Sequence, residues 1–236
     1  MIEKKKVKII AEIHPQHNGS MEEIKRIIIQ CKISGANIVK VQLYDSKKLF
    51  NNDERKYLEI SKDELSEINE FCNLHGIELS ASIFDLERVD WCEKLNFQTY
   101  KIASRSVNDK ELCEKIISLN KKVIISLGMY DFKNKKIPYE GKNIDYLYCV
   151  SKYPANYEDI EMPNFNGSIF SGYSDHTIGL GACILAVSKG AKIIEKHYSN
   201  NKSLNTSTEM AHVCSMNQLD LSNLREICDS LSLLKA

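Results

Sequence analysis

The chain has 236 residues, of which 43% are hydrophobic and 27% charged, and its 32 lysines and arginines are balanced by 32 aspartates and glutamates. This length suits one large domain with a sizeable core, and the composition is that of an ordinary globular protein. A net charge of zero provides no global field that would attract nucleic acid or an anionic membrane. Any anion that the protein binds must therefore be held by a local group of residues.

Neither a secreted nor a membrane protein is indicated. The apolar run after the basic start is interrupted by Lys8 and ended by Glu12, so no signal peptide is predicted. No segment approaches the roughly 18 apolar residues of a membrane span. The eight cysteines lie in core-like segments, and no two are separated by only two residues, which favours reduced, buried thiols. We expect a cytoplasmic protein.

Short apolar, β-branched runs recur along the chain and predict strands that are covered on both faces. These runs cover residues 7–13, 38–43, 77–84, 100–103, 123–127, 144–150, 169–173 and 193–197. Helical periodicity occupies residues 21–34, 63–74, 86–95, 108–119, 179–189 and 217–234. Ser20 is predicted to cap the first helix, and Gly35, Gly76 and Gly190 are predicted to end helices.

Eight strands alternating with helices predict an α/β fold of the (β/α)8 TIM-barrel class, with residues 1–236 forming one catalytic domain. The segments after the fifth and sixth strands lack helical periodicity, so the helices there are expected to be shortened. A doubly wound sheet is disfavoured because the turn after the first strand has only one glycine, Gly19.

In such a barrel the active site lies at the carboxyl ends of the strands. The polar residues predicted there are Glu12, Gln16, His17, Asn18, Lys40, Gln42, Ser82, Lys101, Ser104, Ser106, Ser126, Ser151, Tyr153, Ser174, Asp175, His176, Glu195, Lys196 and His197. Lys40 and Lys101 stand in apolar strands, where a charge is costly unless it is paired with an anion. Together with hydroxyls from several strands, they suit a small phosphorylated or carboxylated ligand.

His176 and His197 end neighbouring strands and could hold a divalent metal between them. Structural interpretations stay open at this point, because a lone strand lysine can be a satisfied pair, a lone serine can cap a helix, and His17 or His176 can be a hydrogen-bonded core histidine. His14, His75 and His212 have no comparable context and are predicted to be structural or surface residues.

Several motifs resemble, in order and spacing, those of the sialic acid synthase family. They are Ala11-Glu12-Ile13 with His17-Asn18-Gly19, Val39-Lys40-Val41-Gln42, Lys101-Ile102-Ala103-Ser104, Ser126-Leu127-Gly128-Met129, Tyr153-Pro154, Gly172-Tyr173-Ser174-Asp175-His176 and Glu195-Lys196-His197. The resemblance runs from about Ile9 to the final helix. It implies a barrel enzyme that condenses phosphoenolpyruvate with N-acetylmannosamine or a related amino sugar and releases phosphate.

The resemblance also implies a role for each matched residue. A divalent metal, Mn²⁺ or Mg²⁺, would sit on His176 and His197 and polarise the sugar aldehyde. Glu12 is the carboxylate expected near the reacting centre, and Gln42 and Tyr153 would contact the sugar. The residues that would hold phosphoenolpyruvate are Lys40, Ser82, Lys101, Ser104, Ser126 and Ser174. Lys196 is a further substrate-binding candidate from its motif.

The chain departs from the family pattern at several positions. Arg105 and Ser106 stand where family members commonly have a glycine and an acidic residue, and Ser151 stands where asparagine is frequent. The acidic residue expected after the last strand aligns with Thr208, so Glu209 is expected to serve after a one-residue shift. The C-terminal antifreeze-like domain of typical bacterial members, which contributes an arginine to the partner subunit's site, is not part of the sequence.

Three interpretations of that last departure stay open: a separate polypeptide supplies the domain, Arg105 replaces its charge, or the sugar differs. The leading hypothesis is an active synthase that, from the resemblance, is expected to form a homodimer, with legionaminic or pseudaminic acid synthases as near alternatives. A non-catalytic barrel subunit or sensor that retains metal and phosphoenolpyruvate binding is the alternative from another class. A metal-dependent aldolase that does not use phosphoenolpyruvate is the third.

Overall fold

The protein is described by a computed structural model that covers residues 6–204 and 210–234. All eight predicted strands are present, and consecutive strands pair in parallel, with the eighth closing on the first. The strands are β1 Lys8–Glu12, β2 Ile38–Leu43, β3 Glu78–Ile83, β4 Thr99–Ile102, β5 Lys122–Ser126, β6 Ile144–Cys149, β7 Phe170–Asp175 and β8 Ile193–His197. The prediction of a (β/α)8 barrel is confirmed.

Seven α-helices occur in the described part of the chain. They are α1 Met21–Ile33, α2 Ser46–Phe50, α3 Lys62–Leu74, α4 Leu86–Lys94, α5 Lys110–Ser118, α6 Gly181–Ser188 and α7 Gln218–Leu233. Six match predicted helices to within two residues. Helix α2 was not predicted because its five residues are too few to show periodicity, although the Asp45 side chain caps it by accepting from Lys48 N at 2.9 Å.

The predicted helix ends are also confirmed. The Ser20 side chain accepts from Glu23 N at 3.2 Å and so satisfies one of the free amides of the first turn of α1. Gly35, Gly76 and Gly190 follow α1, α3 and α6 with positive φ angles of 92°, 62° and 96°. Glycine suits these positions because the left-handed conformation is strained for other residues.

The connections after β5 and β6 contain no α-helix, so the helices that were expected to be shortened there are absent. Between β6 and β7 there is a single 3-10 turn at Tyr157–Asp159. Phe132, in the connection after β5, packs edge-on against Phe170, with ring centroids 5.0 Å apart, and lies 6.3 Å from the ring of Tyr148. Aromatic side chains thus cover the outside of β6 and β7 where a helix would otherwise lie.

The barrel interior is apolar at the amino ends of the strands and polar at their carboxyl ends. The apolar layer is formed by Ile10, Ile38, Ile124, Leu147 and Ile193, separate from the larger core between strands and helices. Because side chains alternate across a strand, the residues two positions further along point inward above this layer. Strand register then places Glu12 beside Lys40 on one side and His197 on the other.

Close approach of two strands requires glycine at position 172. A Cβ added there would lie 2.1 Å from the carbonyl oxygen of Ile193 on β8. All eight cysteines are buried and unpaired, which confirms the prediction of buried thiols. Among the described residues, no helix combines the length and apolarity needed to cross a bilayer.

Candidate active site

A cavity of about 780 Å³ opens at the carboxyl ends of the strands. Among the described residues, all those predicted to be catalytic, metal-binding or substrate-binding line it, except Lys196. These residues are Glu12, Lys40, Gln42, Ser82, Lys101, Ser104, Ser126, Ser151, Tyr153, Ser174, His176 and His197. Eight separate strands or strand ends therefore converge on one space, which is the arrangement expected for a barrel active site.

Two lysines and two glutamates form the charged floor of the cavity. Lys40 Nζ is paired with Glu12 Oε2 and donates to Ser82 Oγ at 2.9 Å. Lys101 Nζ lies 3.4 Å from Glu195 Oε1, which also accepts from Ser174 Oγ at 3.0 Å. All four charged side chains are buried, so each charge needs the opposite charge beside it.

The two carboxyl groups of the floor differ in acidity. Burial raises the pKa of Glu12, and the nearby charge of Glu195 adds to this effect against the opposing charge of Lys40. Burial alone would also raise the pKa of Glu195, but the charges of Lys101 and Lys40 hold it below its ordinary value. A pair of carboxyl groups whose pKa values are pushed apart can divide proton transfer and charge stabilisation between them.

The histidine pair is held in a defined tautomer by the surrounding protein. His176 Nδ1 donates to the carbonyl oxygen of Val150 at 2.8 Å, and His197 Nδ1 donates to Gln16 Oε1 at 3.1 Å. The ring centroids lie 5.8 Å apart. With both Nδ1 atoms engaged, each imidazole has Nε2 as its available atom, which is how metal-binding histidines are commonly oriented.

The residues present fit a divalent metal through this pair. Burial and the nearby charge of His176 lower the pKa of His197 well below its usual range, so its neutral form, the one that binds metal, is favoured. At His176 burial would also lower the pKa, but the Cys149 side chain raises it, so a metal there must displace a proton. Within residues 6–204 and 210–234, no group of three or more histidine, cysteine, aspartate or glutamate side chains is arranged to hold a metal. Water or substrate would supply further ligands beside the two imidazoles.

Hydroxyl groups of the cavity leave polar capacity for a ligand. Ser104 Oγ accepts from Gly128 N at 3.1 Å, whereas Ser126 Oγ is buried without a hydrogen-bond partner among the described residues. Glu195 Oε2 is also buried without a hydrogen-bond partner among the described residues. Since buried polar atoms are nearly always hydrogen-bonded, these two atoms indicate that a polar ligand or ordered water completes the site.

The aromatic ring of Tyr153 lies beside the histidines. Its centroid is 4.0 Å from that of His176 and 5.9 Å from that of His197, and 43% of the residue is exposed toward the mouth. Ser151, two residues earlier, also faces the cavity. A Cβ added at Gly128 would lie 2.5 Å from Ser151 Oγ, so glycine at that position leaves room for the serine.

Lys196 does not reach the cavity, which corrects its assignment as a substrate-binding residue. It lies between Glu195 and His197, and because those two side chains point into the barrel, its own points outward. Its Nζ is 2.5 Å from Asp175 Oδ2 and donates to the carbonyl oxygen of Thr177 at 2.7 Å. Lys196 and Asp175 form a fully buried structural pair in the layer between strands and helices.

Two of the residues that depart from the family pattern, Arg105 and Ser106, differ in whether they line the cavity. Arg105 lines the mouth of the cavity, whereas Ser106 is buried and does not line it, so the serine does not occupy the place of a carboxylate in the site. Thr208 and Glu209 lie outside the described residues.

Several residues of the cavity wall were not predicted. Glu195 was noted at its strand end without a role, although its spacing of two from His197 places it on the inward face. His14, expected to be structural or at the surface, lines the cavity. Gly19 N donates to His17 Nδ1, His17 Nε2 to His14 Nδ1, and His14 Nε2 to Tyr44 Oη, at 3.0, 2.9 and 3.1 Å. His17 thus supports this wall and does not line the cavity itself.

Comparison with known proteins gives a consistent result. The NeuB family matches residues 27–234. The chain is 31% identical to the N,N'-diacetyllegionaminic acid synthase of Legionella pneumophila, over 92% of this chain and 69% of that protein. It is 29% identical to the N-acetylneuraminate-9-phosphate synthase of Drosophila melanogaster, over 92% of this chain and 66% of that protein. The chain thus spans about two thirds of the length of these relatives.

A solved structure gives the same relationship at the level of the fold. The N-acetylneuraminic acid synthetase of Leptospira borgpetersenii, in complex with citrate, superposes with a TM-score of 0.85 at 28% identity. The similarity covers 97% of this chain and 85% of that one.

Proposed function

The chain belongs to the NeuB family, and we propose from this premise that it condenses phosphoenolpyruvate with the open-chain form of an N-acetylated amino sugar. The products are a nonulosonic acid and phosphate. N-acetylmannosamine is the reference acceptor, and the sugar precursors of legionaminic and pseudaminic acids are the near alternatives.

One observation carries this proposal. The cavity joins a floor that contains two buried lysines to a wall that carries two oriented imidazoles. The floor offers cationic and hydroxyl donors for a compact anion, and the wall offers nitrogen ligands beside it. A reaction between an anionic enol phosphate and a carbonyl compound requires both features in one space.

Phosphoenolpyruvate is proposed to bind at the floor. Lys40, Lys101 and Ser126 supply donors to its phosphate and carboxylate groups, with Ser126 Oγ filling its missing hydrogen bond in this way. Ser82, Ser104 and Ser174 complete the cradle. Because the site is buried, these donors stabilise developing negative charge more strongly than they would in water.

The acceptor sugar is proposed to lie above this floor, with its aldehyde toward His176 and His197 and its chain along Gln42, Ser151 and Tyr153. Mn²⁺ or Mg²⁺ bound by the two imidazoles would supply Lewis acidity to the aldehyde. Tyr153 packs on His176 and so restricts both the imidazole and the position of the sugar.

The chemistry follows from this placement. The methylene carbon of phosphoenolpyruvate forms a bond to the aldehyde carbon, and the proton held between Lys40 and Glu12 passes through Glu12 to the aldehyde oxygen. The resulting oxocarbenium ion is stabilised by the ionised carboxylate of Glu195. Water then adds to the second carbon of phosphoenolpyruvate and returns a proton to Glu12. In the tetrahedral intermediate the carbon–oxygen bond to phosphate then breaks and the new hydroxyl gives its proton to the leaving phosphate, which leaves the ketone of the product and hydrogen phosphate. The raised pKa of Glu12 suits its earlier release and recovery of a proton.

We further propose that residues 1–236 act as one catalytic barrel in the cytoplasm and that the barrel functions as a homodimer. The mouth of the cavity exposes Met129 by 61% and Met210 by 46%, which leaves apolar surface for a covering polypeptide. A separately encoded antifreeze-like domain is one candidate for that cover.

The test is a phosphate-release assay with Mn²⁺, phosphoenolpyruvate and a panel of N-acetylated amino sugars, with and without an antifreeze-like domain. His176→Ala and His197→Ala should lose metal-dependent turnover and stay folded, whereas His75→Ala at the end of α3 should keep it. Metal and phosphoenolpyruvate binding without phosphate release from any sugar would favour a non-catalytic subunit or sensor. Unchanged turnover in Lys40→Ala and Lys101→Ala would favour an aldolase that does not use phosphoenolpyruvate.

A further inference from the structure

Arg105 occupies a distinctive position at the mouth of the cavity. It lies in the 3-10 turn Ser104–Ser106 that follows β4 and lines the cavity together with Phe50, which ends helix α2. Its guanidinium carbon lies 5.0 Å from the centroid of the Phe50 ring, and that of Arg55 lies 4.2 Å from the same ring. A guanidinium stacked on an aromatic face is restrained in position while its N–H groups remain available.

Three lysines of the cavity floor and rim differ from Arg105 because each has a carboxylate beside it. Lys40 is paired with Glu12, Lys101 lies beside Glu195, and Lys152 at the rim is 2.5 Å from Asp159. Within the described residues, no carboxylate is paired with Arg105, and the charged or ionisable groups that act on it are Arg55 and Tyr153. The charge of Arg105 is therefore available to a ligand that enters the mouth of the cavity.

The order of groups along the cavity indicates which part of a substrate meets Arg105. With phosphoenolpyruvate at the lysines and the aldehyde at the histidines, the acceptor chain must extend past Tyr153 toward the mouth. Arg105 and Tyr153 are both exposed residues of the cavity lining. The end of the acceptor remote from its aldehyde is therefore the part that reaches the guanidinium.

We propose that Arg105 binds an oxyanion, a phosphate or a carboxylate, carried by the acceptor sugar at the end remote from its aldehyde. This inference rests on the proposed function and makes Arg105 the residue that selects anionic over neutral acceptors. Guanidinium groups suit this role because their planar donors match phosphate and carboxylate geometry. One relative is named for a product that carries a 9-phosphate, a group that such an acceptor would bring.

Binding of unreactive acceptor analogues tests the inference without turnover. The probes are N-acetylmannosaminitol, its 6-phosphate and the corresponding 6-carboxylate, titrated by calorimetry into the intact protein with Mn²⁺ and phosphoenolpyruvate present. The phosphate or the carboxylate analogue should bind more tightly than the neutral one. Arg105→Gln should weaken that binding about tenfold, as expected for loss of a charge-assisted hydrogen bond, and Arg105→Lys should restore part of it.

The control is Lys110→Gln, which removes the same charge from an exposed side chain on α5 that lies 3.6 Å from Glu114. It should leave the affinity for all three analogues unchanged. Equal binding of neutral and anionic analogues, or an equal loss for all three in Arg105→Gln, would overturn the inference, as would no binding of any analogue. Failure of the proposed function looks different, because it is an absence of phosphate release even where the analogues bind.

Discussion

Replacing Lys196 by methionine distinguishes a structural lysine from a substrate-binding one. The side chains of Lys196 and Asp175 are 0% exposed, and Lys196→Met would leave the Asp175 carboxylate buried without its cation. Removal of one partner of a buried pair costs about 3–5 kcal/mol. Asp175 keeps three donors, Tyr173 Oη at 3.0 Å, Thr177 N at 2.9 Å and Cys183 Sγ at 3.1 Å. We therefore expect a loss near 3 kcal/mol, the lower end of that range.

The measurement is urea unfolding followed by the fluorescence of the single tryptophan, Trp91. The double variant Asp175→Asn with Lys196→Met removes both charges and should be more stable than Lys196→Met alone, because no buried ion is left unpaired. Lys192→Met, at an exposed lysine before β8, should change the free energy of unfolding by no more than about 0.5 kcal/mol. Wild-type stability of Lys196→Met together with lost phosphoenolpyruvate binding would refute the structural role.

Two further predictions concern the first turn after β1. Gln16→Met removes the acceptor of His197 Nδ1 and should weaken Mn²⁺ binding about tenfold in a calorimetric titration. Gln16→Glu keeps an acceptor and should preserve the affinity for Mn²⁺. Equal affinities in the two variants would contradict the positioning role of Gln16. Burial lowers the pKa of His17 to about 4 from its ordinary 6.5, so the unfolded chain binds a proton that the native state excludes between these values. The free energy of unfolding should therefore fall by about 3 kcal/mol as the pH drops from 6.5 to 4. In His17→Gln the free energy of unfolding should depend less on pH than in the wild-type protein. Parallel pH profiles of the two proteins would contradict this prediction.

The sequence predicted the barrel because each strand and most helices carry a local signal. Continuous apolar runs marked strands covered on both faces, and Ser20, Gly35 and Gly190 marked helix ends. The residues at the carboxyl ends of the strands could also be collected from sequence, since parallel strands in a barrel end on the same side. Helix α2 could not be predicted from periodicity, because its five residues are stabilised by a cap and do not form a periodic apolar face.

The candidate site was predictable only as a set of positions. Because side chains alternate along a strand, Glu195 and His197 share one face of β8 and Lys196 lies on the other. In a strand buried on both faces, this alternation does not reveal which face lines the cavity. The choice depends on the partner Asp175, which belongs to the neighbouring strand β7, the strand that α6 contacts. Lys196 was therefore assigned to substrate, and Glu195 received no role.

The sequence by itself determined the fold class, the order of the strands and the residues that stand at their carboxyl ends, because these follow from local periodicity and chain order. Tertiary structure alone decided how the charges pair, as with Lys40 and Glu12, which lie 28 residues apart and meet through the register of β1 and β2. It also decided that Arg105 faces the mouth and Ser106 does not. Pairing and orientation are set by closure of the barrel, which no local pattern encodes.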